Sequence, residues 1–92
     1  MHTLDQLNRG ELKGVVRLQL SEELTTFPDA IFDLVDSLEI LDLSNNNLSS
    51  LPADLFRLKK LRILFCSNNQ FTHLPAVLGE CAQLEMIGFK SN

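Results

Sequence analysis

Few side chains of this sequence belong to the types that carry out chemistry. The candidate nucleophiles and metal ligands are two cysteines, Cys66 and Cys81, and two histidines, His2 and His73. A thiol nucleophile needs a neighbouring base, and a zinc site needs several such ligands at short, regular spacings. The cysteines lack metal-site spacing, and neither histidine has an identifiable cysteine, serine or metal partner. We therefore predict no catalytic residue, no metal and no cofactor.

The remaining chemical motifs also favour a protein without enzymatic activity. Carboxylates such as Asp29, Asp33 and Asp36 are most simply explained as solvated surface groups. The sequence has no phosphate-binding glycine loop, no dinucleotide fingerprint and no kinase catalytic loop. The cysteines occupy apolar positions, which suits packed thiols in a reducing compartment.

The most regular polar side chains are asparagines rather than catalytic residues. Asn46, Asn69 and Asn92 are separated by 23 residues each. An amide offers both donors and an acceptor, so it can satisfy backbone groups where the chain leaves a strand. This spacing predicts a structural role for the three asparagines.

The asparagines belong to a longer repeated unit whose copies start at Leu38, Leu61 and Leu84. A fixed period in this range predicts a stacked repeat architecture. The pattern resembles leucine-rich repeats, L-x-x-L-x-L-x-x-N-x-L. Its positions are filled by Leu38, Leu41, Leu43, Asn46 and Leu48, then by Leu61, Leu64, Cys66, Asn69 and Phe71, and in part by Leu84, Ile87, Phe89 and Asn92. A degenerate copy begins at Val15, with Glu23 at the asparagine position, so the first coil should be the least regular.

The resemblance implies an α/β fold, a right-handed leucine-rich repeat solenoid with short parallel strands on the concave face and short helices on the convex face. It also implies that the asparagines form a ladder between coils. The predicted units are residues 15–37, 38–60, 61–83 and the partial 84–92. Residues 1–14 are predicted to be a capping helix, with Thr3 as N-cap and an amphipathic pattern over residues 3–13, because the first coil has no neighbour to bury its apolar edge.

The segments that follow the turns predict the convex helices. They run Phe27–Leu34, Leu51–Leu58 and Leu74–Cys81, each with proline as second residue and apolar residues three apart. Proline suits the first turn of a helix, where its missing N–H loses nothing. The 23-residue unit with Leu-Pro resembles bacterial leucine-rich repeat proteins. The stretches Leu61–Asn69 and Met86–Asn92 resemble the N-terminal repeats of bacterial proteins in which such repeats precede a kinase-like domain.

Strand periodicity sends alternate residues to the concave surface. There Ile40, Ile63, Phe65 and Met86 form a predicted apolar patch, and a contiguous patch of this kind marks an interaction site. The alternative is that the N-terminal segment or a downstream domain covers it. The predicted partner-binding residues are Arg17, Gln19, Ile40, Asp42, Ile63, Phe65, Met86 and Lys90.

Charge and length limit the classes of partner. The net charge of −4 argues against nucleic acid and anionic membranes, because both attract concentrated positive charge. No apolar run approaches transmembrane length, and the first residues do not resemble a signal peptide. The prediction is a cytoplasmic protein that binds another protein.

The last predicted coil is incomplete. Without a cap, the flank formed by Leu84, Ile87 and Phe89 would stay open, and even 200 Å² of wet apolar surface forfeits about 5 kcal/mol. Two alternatives to a stand-alone binding module follow. The chain is a regulatory or targeting part of a larger, kinase-like enzyme, or it forms a homodimer through this edge.

Overall fold

Four short strands form one parallel sheet, with one strand from each repeat unit. The computed structural model describes residues 1–92, and its strands are β1 (Arg17–Gln19), β2 (Ile40–Asp42), β3 (Ile63–Phe65) and β4 (Met86–Gly88). They lie side by side in chain order. Leu41 pairs with Leu18 on one side and with Leu64 on the other, and Leu64 pairs with Ile87. The register therefore advances by one repeat per strand, which confirms the predicted α/β solenoid.

The return segments are tighter than predicted. Each is a 3₁₀ helix, and the three span Asp29–Leu34, Leu55–Arg57 and Ala76–Glu80. Pro28 and Pro75 lie at the N-cap, just before the first helical residue, rather than inside the first turn. Segments of three to six residues form too few i→i+4 hydrogen bonds to offset α-helix nucleation, so the i→i+3 form is favoured.

The core lies between the sheet and the return segments. The central strand residues Leu18, Leu41 and Leu64 are fully buried, and Ile31 and Leu55 reach the same apolar cluster from the 3₁₀ helices. None of the helices has the length and apolar composition that crossing a bilayer requires. The second and third repeats thus bury the residues of their pattern against neighbouring coils, as stacked repeats do, whereas Leu84 of the last repeat is only partly buried and Ile87 is exposed.

The N-terminal helix is shorter than the amphipathic pattern suggested. Helix α1 spans Leu4–Asn8 and not residues 3–13. Thr3 is its N-cap, with a capping box in which the Thr3 hydroxyl accepts from the Gln6 N–H and the Gln6 side chain accepts from the Thr3 N–H. Beyond the helix, Gly10 and Gly14 adopt φ of 75° and 86°. Glycine enters this left-handed region without the steric cost of a Cβ, so the chain turns here instead of continuing the helix.

The outer edge of β1 is closed by the N-terminal residues. The His2 N–H donates to the Gln19 carbonyl at 3.0 Å, and the Gln19 N–H donates to Nδ1 of His2 at 3.2 Å. The Leu4 N–H also donates to the Glu22 carboxylate. These bonds give partners to backbone groups that an edge strand would otherwise present to a second chain.

The first coil departs from the period by one residue. Asn45, Asn68 and Ser91 adopt positive φ at intervals of 23 residues, whereas in the first coil the positive φ falls on Glu23, at 57°. A left-handed conformation costs a residue with a Cβ roughly 1–2 kcal/mol. Asn46 supports this turn, because its Oδ1 accepts from the N–H of both Glu22 and Leu24 at 3.0 Å.

Candidate functional site

The sheet register arranges the predicted partner-binding residues into columns that run across the strands. The first column contains Arg17, Ile40, Ile63 and Met86. The second column contains Gln19, Asp42, Phe65 and Gly88. Lys90 lies two residues beyond Gly88, in line with Ser44 and Ser67 of the neighbouring coils. Side chains that are 23 residues apart in sequence are thus neighbours on one surface.

Apolar side chains occupy the part of this surface that lies on β2, β3 and β4. Ile40, Ile63 and Phe65 are half-buried, and Met86 is 49% exposed. We call these four residues the apolar strip. The central residues between them, Leu41 and Leu64, are fully buried on the opposite face of the sheet.

Phe65 and Gly88 fit together at the end of the apolar strip. A Cβ added at Gly88 would lie 2.8 Å from Cδ1 of Phe65, closer than side-chain atoms approach one another. The phenyl ring therefore lies over the backbone of β4 where Gly88 has no side chain. The aromatic surface continues from β3 onto β4 through this contact. The repeat period placed Phe65 beside Gly88 but did not specify where the ring points, so sequence reasoning missed the contact.

The polar part of the surface is partly used within the chain. Nε2 of Gln19 donates to Oδ2 of Asp42 at 3.3 Å, and Oδ1 of Asp42 accepts from the Ser44 N–H at 3.0 Å. Both carboxylate oxygens of Asp42 thus have partners inside the protein. Gln19 and Asp42 link β1 to β2 and have less capacity left for a partner than the sequence suggested.

Two basic side chains on this surface have no ionic partner. Arg17 and Lys90 are exposed, and neither takes part in the ion pairs of the chain. Arg62, which precedes β3, differs from them because its Nε lies 3.0 Å from Oε1 of Glu39. The free positive charges of the concave surface therefore lie at its two ends, on β1 and just after β4.

The asparagine side chains connect successive coils. Nδ2 of Asn69 donates to the Leu43 carbonyl of the preceding coil at 2.9 Å, and its Oδ1 accepts from the Leu48 N–H at 2.9 Å. Nδ2 of Asn46 donates to the Leu20 carbonyl at 2.9 Å. Asn92 repeats the arrangement with the Cys66 carbonyl and the Phe71 N–H. Asn46 and Asn69 are buried, whereas Asn92 is exposed.

Neither thiol has the environment of a nucleophile. Cys66 is fully buried; burial raises the pKa of its thiol to about 12, and the negative charge of Asp42 adds to the shift. Burial, followed by the charge of Glu80, also raises the pKa of the Cys81 thiol. Since the thiolate is the reactive form, both shifts disfavour nucleophilic chemistry at neutral pH.

The structure brings the histidines near no cysteine or carboxylate cluster. Nδ1 of His2 accepts from the Gln19 N–H, and Nδ1 of His73 lies 3.0 Å from the hydroxyl of Thr72 in an exposed turn. No group of three or more His, Cys, Asp or Glu side chains is arranged to hold a metal ion.

The concave surface is open rather than pocketed. The largest cavity, about 500 Å³, lies beside the first turn and is lined by residues that include Leu4, Glu22 and Asp29. The other two lie between α1 and the first 3₁₀ helix and between the second and third 3₁₀ helices. None is lined by the apolar strip. Small-molecule sites are usually concave cavities, so this open surface suits a macromolecular partner better.

The outer edge of β4 differs from the other strands. Ile87 is 38% exposed although its register partner Leu64, and Leu41 at the same position one strand further on, are fully buried. Leu84 and Phe89 are partly buried, and the Phe89 ring packs 5.2 Å from that of Phe71. The predicted self-association residues thus include one substantially exposed apolar side chain.

Comparison with known sequences agrees with the repeat pattern. A family model described as leucine rich repeat matches residues 36–92. No curated protein matches the chain.

Proposed function

Because this chain belongs to the leucine-rich repeat family, whose domains generally mediate protein–protein interaction, we propose that it is a non-catalytic module that binds a protein partner on the concave surface of its sheet. The partner-contacting residues under this proposal are the apolar strip together with Arg17 and Lys90. Gln19 and Asp42 have a structural role under this proposal, because their hydrogen bond links β1 to β2 beside the apolar strip.

The observation that carries the proposal is the continuity of the apolar strip. Ile40, Ile63 and Met86 occupy adjacent register positions, and Phe65 extends the surface onto β4 through its contact with Gly88. Single exposed apolar residues are ordinary on protein surfaces, but contiguous patches bordered by polar side chains are typical of interaction sites. The open shape and the raised thiol pKa values favour binding over catalysis.

The test removes apolar area from the strip and leaves the core intact. The double variant Ile40→Thr, Ile63→Thr keeps β-branched side chains, which suit strands. In each residue a hydroxyl group replaces the ethyl group on Cβ. We expect loss of a specific partner that the unchanged protein retains in quantitative affinity purification, while the thermal unfolding midpoint stays within a few degrees. Phe65 is left unchanged because its ring also packs on Gly88.

The matched control removes exposed apolar area elsewhere. Phe56 is 47% exposed in the second 3₁₀ helix, and Phe56→Ser should leave partner retention unchanged. Equal retention by the concave double variant and the control would contradict the proposal.

A second candidate function, homodimer formation through the β4 edge, is favoured by the exposure of Ile87. A second copy would have to pair edge to edge through its own β4, because His2 already bonds to the β1 edge. Light scattering should then give twice the monomer mass at high concentration and the monomer mass for Ile87→Lys. The control Val16→Lys, at an apolar residue beside β1, should still dimerise. A further coil supplied by a longer chain would fill the same place, and a monomer at all concentrations would exclude the dimer.

A further inference from the structure

The charges and spacing of the concave surface are specific enough to describe the partner segment. We infer that the apolar strip binds an amphipathic α-helix that carries acidic side chains at both ends of its apolar stripe. This inference rests on the proposed function and adds the chemical class of the partner to it.

The charges on the concave surface favour an acidic partner. Arg17 and Asp42 are the ionisable side chains of the two columns, and Lys90 is the ionisable side chain in line with Ser44 and Ser67. Both oxygens of Asp42 already accept hydrogen bonds from Gln19 and Ser44. Arg17 and Lys90 are exposed and have no ionic partner. The protein as a whole carries a net charge of −4, so the unpaired positive charges on this face run against the overall balance. Complementary charge favours an acidic partner and disfavours a basic one.

The two free positive charges lie at opposite ends of the apolar strip. Arg17 pairs with Ile40 in the register and so begins the column that continues through Ile63 to Met86. Lys90 follows β4 at the other end of the surface. The two free charges therefore lie at opposite corners of the apolar strip. They are three strand spacings apart across the sheet and four residues apart along the strand direction, which is roughly 20 Å on the diagonal. A partner that meets both charges needs acidic groups on either side of an apolar segment.

The spacing of the strands indicates the backbone conformation of the partner. Adjacent strands are about 4.8 Å apart, so the apolar strip offers one side chain per strand at that interval. A helix lying across the strands presents side chains at i, i+3/i+4 and i+7 with a rise of about 5.4 Å per turn. In an extended chain, side chains on the same face are about 6.6 Å apart. This spacing is longer than the distance between strands, so the side chains no longer match the strands after the second contact. The helical spacing fits the column better.

An added strand is also a poor fit to this surface. Both edges of β2 and of β3 are paired within the sheet, and the β1 edge is bonded to His2. The outer edge of β4 is open, but a strand added there would lie beside the apolar strip and not across it. A partner on the concave face must therefore bind through side chains and must satisfy its own backbone hydrogen bonds. A helix does this internally, whereas an isolated extended segment does not.

The test uses the protein of residues 1–92 and a library of helical peptides of about 18 residues, or five turns. Leucines are fixed along one stripe, and the positions flanking both ends of the stripe are varied among Glu, Gln and Lys. After selection against the immobilised protein, we expect enrichment of Glu at both flanks. Enrichment of Lys or Gln, an equal mixture, or the absence of any retained helical peptide would overturn the inference.

Variants of the protein identify the side chains that cause the preference for Glu. Fluorescence anisotropy measures the dissociation constant of a selected peptide. Arg17→Gln and Lys90→Gln should each raise it by about two- to fivefold, as expected for exposed ion pairs. The increase should be smaller at high salt, which screens the charges. Lys59→Gln and Lys60→Gln are controls, since both side chains are exposed but lie outside the columns. Equal weakening by the controls would overturn the assignment of Arg17 and Lys90.

The double variant Ile40→Thr, Ile63→Thr separates this inference from the proposed function. Peptide binding that is lost in the double variant but shows no acidic preference would refute the acidic helix and leave the concave binding site standing. Peptide binding that persists in the double variant would refute both.

Discussion

The two ends of the solenoid contain the same repeat positions in opposite environments. At the first coil, Leu18 is fully buried, and the β1 edge is bonded to His2, which directly precedes the N-cap of α1. At the last coil, Ile87 occupies the equivalent position and is 38% exposed. The burial of an apolar residue at this repeat position therefore depends on whether a neighbouring coil covers it and not on the residue itself.

The same contrast applies to polar groups. The Asn69 amide is buried between two coils and has hydrogen-bond partners in both, whereas Asn92 makes equivalent bonds in an exposed position. Water can replace the partners of an exposed amide but not those of a buried one. Equivalent sequence positions should therefore differ in their contribution to stability along the solenoid.

The largest expected effect compares Leu64→Ala with Ile87→Ala. Removing the fully buried Leu64 side chain should lower the free energy of unfolding by about 2–5 kcal/mol, because it leaves a cavity. Ile87→Ala should cost about 1 kcal/mol or less, since part of that side chain already contacts solvent. Urea denaturation of dilute protein measures the free energy of unfolding of both variants. Similar losses at the two positions would show that the last coil is covered in solution.

The next effect compares the asparagines. Asn69→Ala leaves the Leu48 N–H and the Leu43 carbonyl without their partner and should cost about 1–3 kcal/mol. Asn92→Ala should cost clearly less, because water reaches the freed groups. Hydrogen exchange at the Leu48 amide should accelerate in Asn69→Ala and stay unchanged in Asn92→Ala. An equal loss of stability in both variants would contradict the contrast between buried and open coils.

The smallest effect at neutral pH concerns the two thiols. Burial raises the pKa of Cys66 to about 12 from 9.0, so folding favours its neutral form. The resulting stability is fully present below pH 9 and is lost as the pH rises through the folded pKa near 12. The stability of the unchanged protein should therefore fall relative to Cys66→Ala between pH 9 and pH 11, while the two run parallel from pH 6 to pH 8. A constant difference across the whole range would contradict this.

Alkylation provides a second measurement on the same pair. Cys66 is fully buried, whereas Cys81 is only partly buried and lies in the last described return segment. Iodoacetamide at pH 8 should modify Cys81 before Cys66, as read by peptide mass spectrometry. Faster modification of Cys66 would mean that the third coil opens more readily than the end of the chain.

Much of the fold could be predicted because the repeat period sets the register directly. One coil takes 23 residues, so Leu41 must lie beside Leu64, and alternation along the strand then places Ile40 and Ile63 on the concave surface. The irregular first coil also followed from Glu23 at the asparagine position. The length of α1 and the 3₁₀ form of the return segments did not follow, because short segments are governed by local hydrogen bonding that apolar spacing does not report.

The sequence alone determined the parallel order of the strands, the inward leucines and the asparagine positions, since each depends on a period that is written in the chain. Three contacts became known from the three-dimensional structure: His2 closes the β1 edge, the Phe65 ring lies over Gly88, and both oxygens of Asp42 are already bonded. All but the Asp42–Ser44 bond join residues 17 or more positions apart, and all depend on where side chains point, which residue type and spacing do not specify. The free charges of Arg17 and Lys90 became visible for the same reason, because a charge is unpaired only with respect to its neighbours in space.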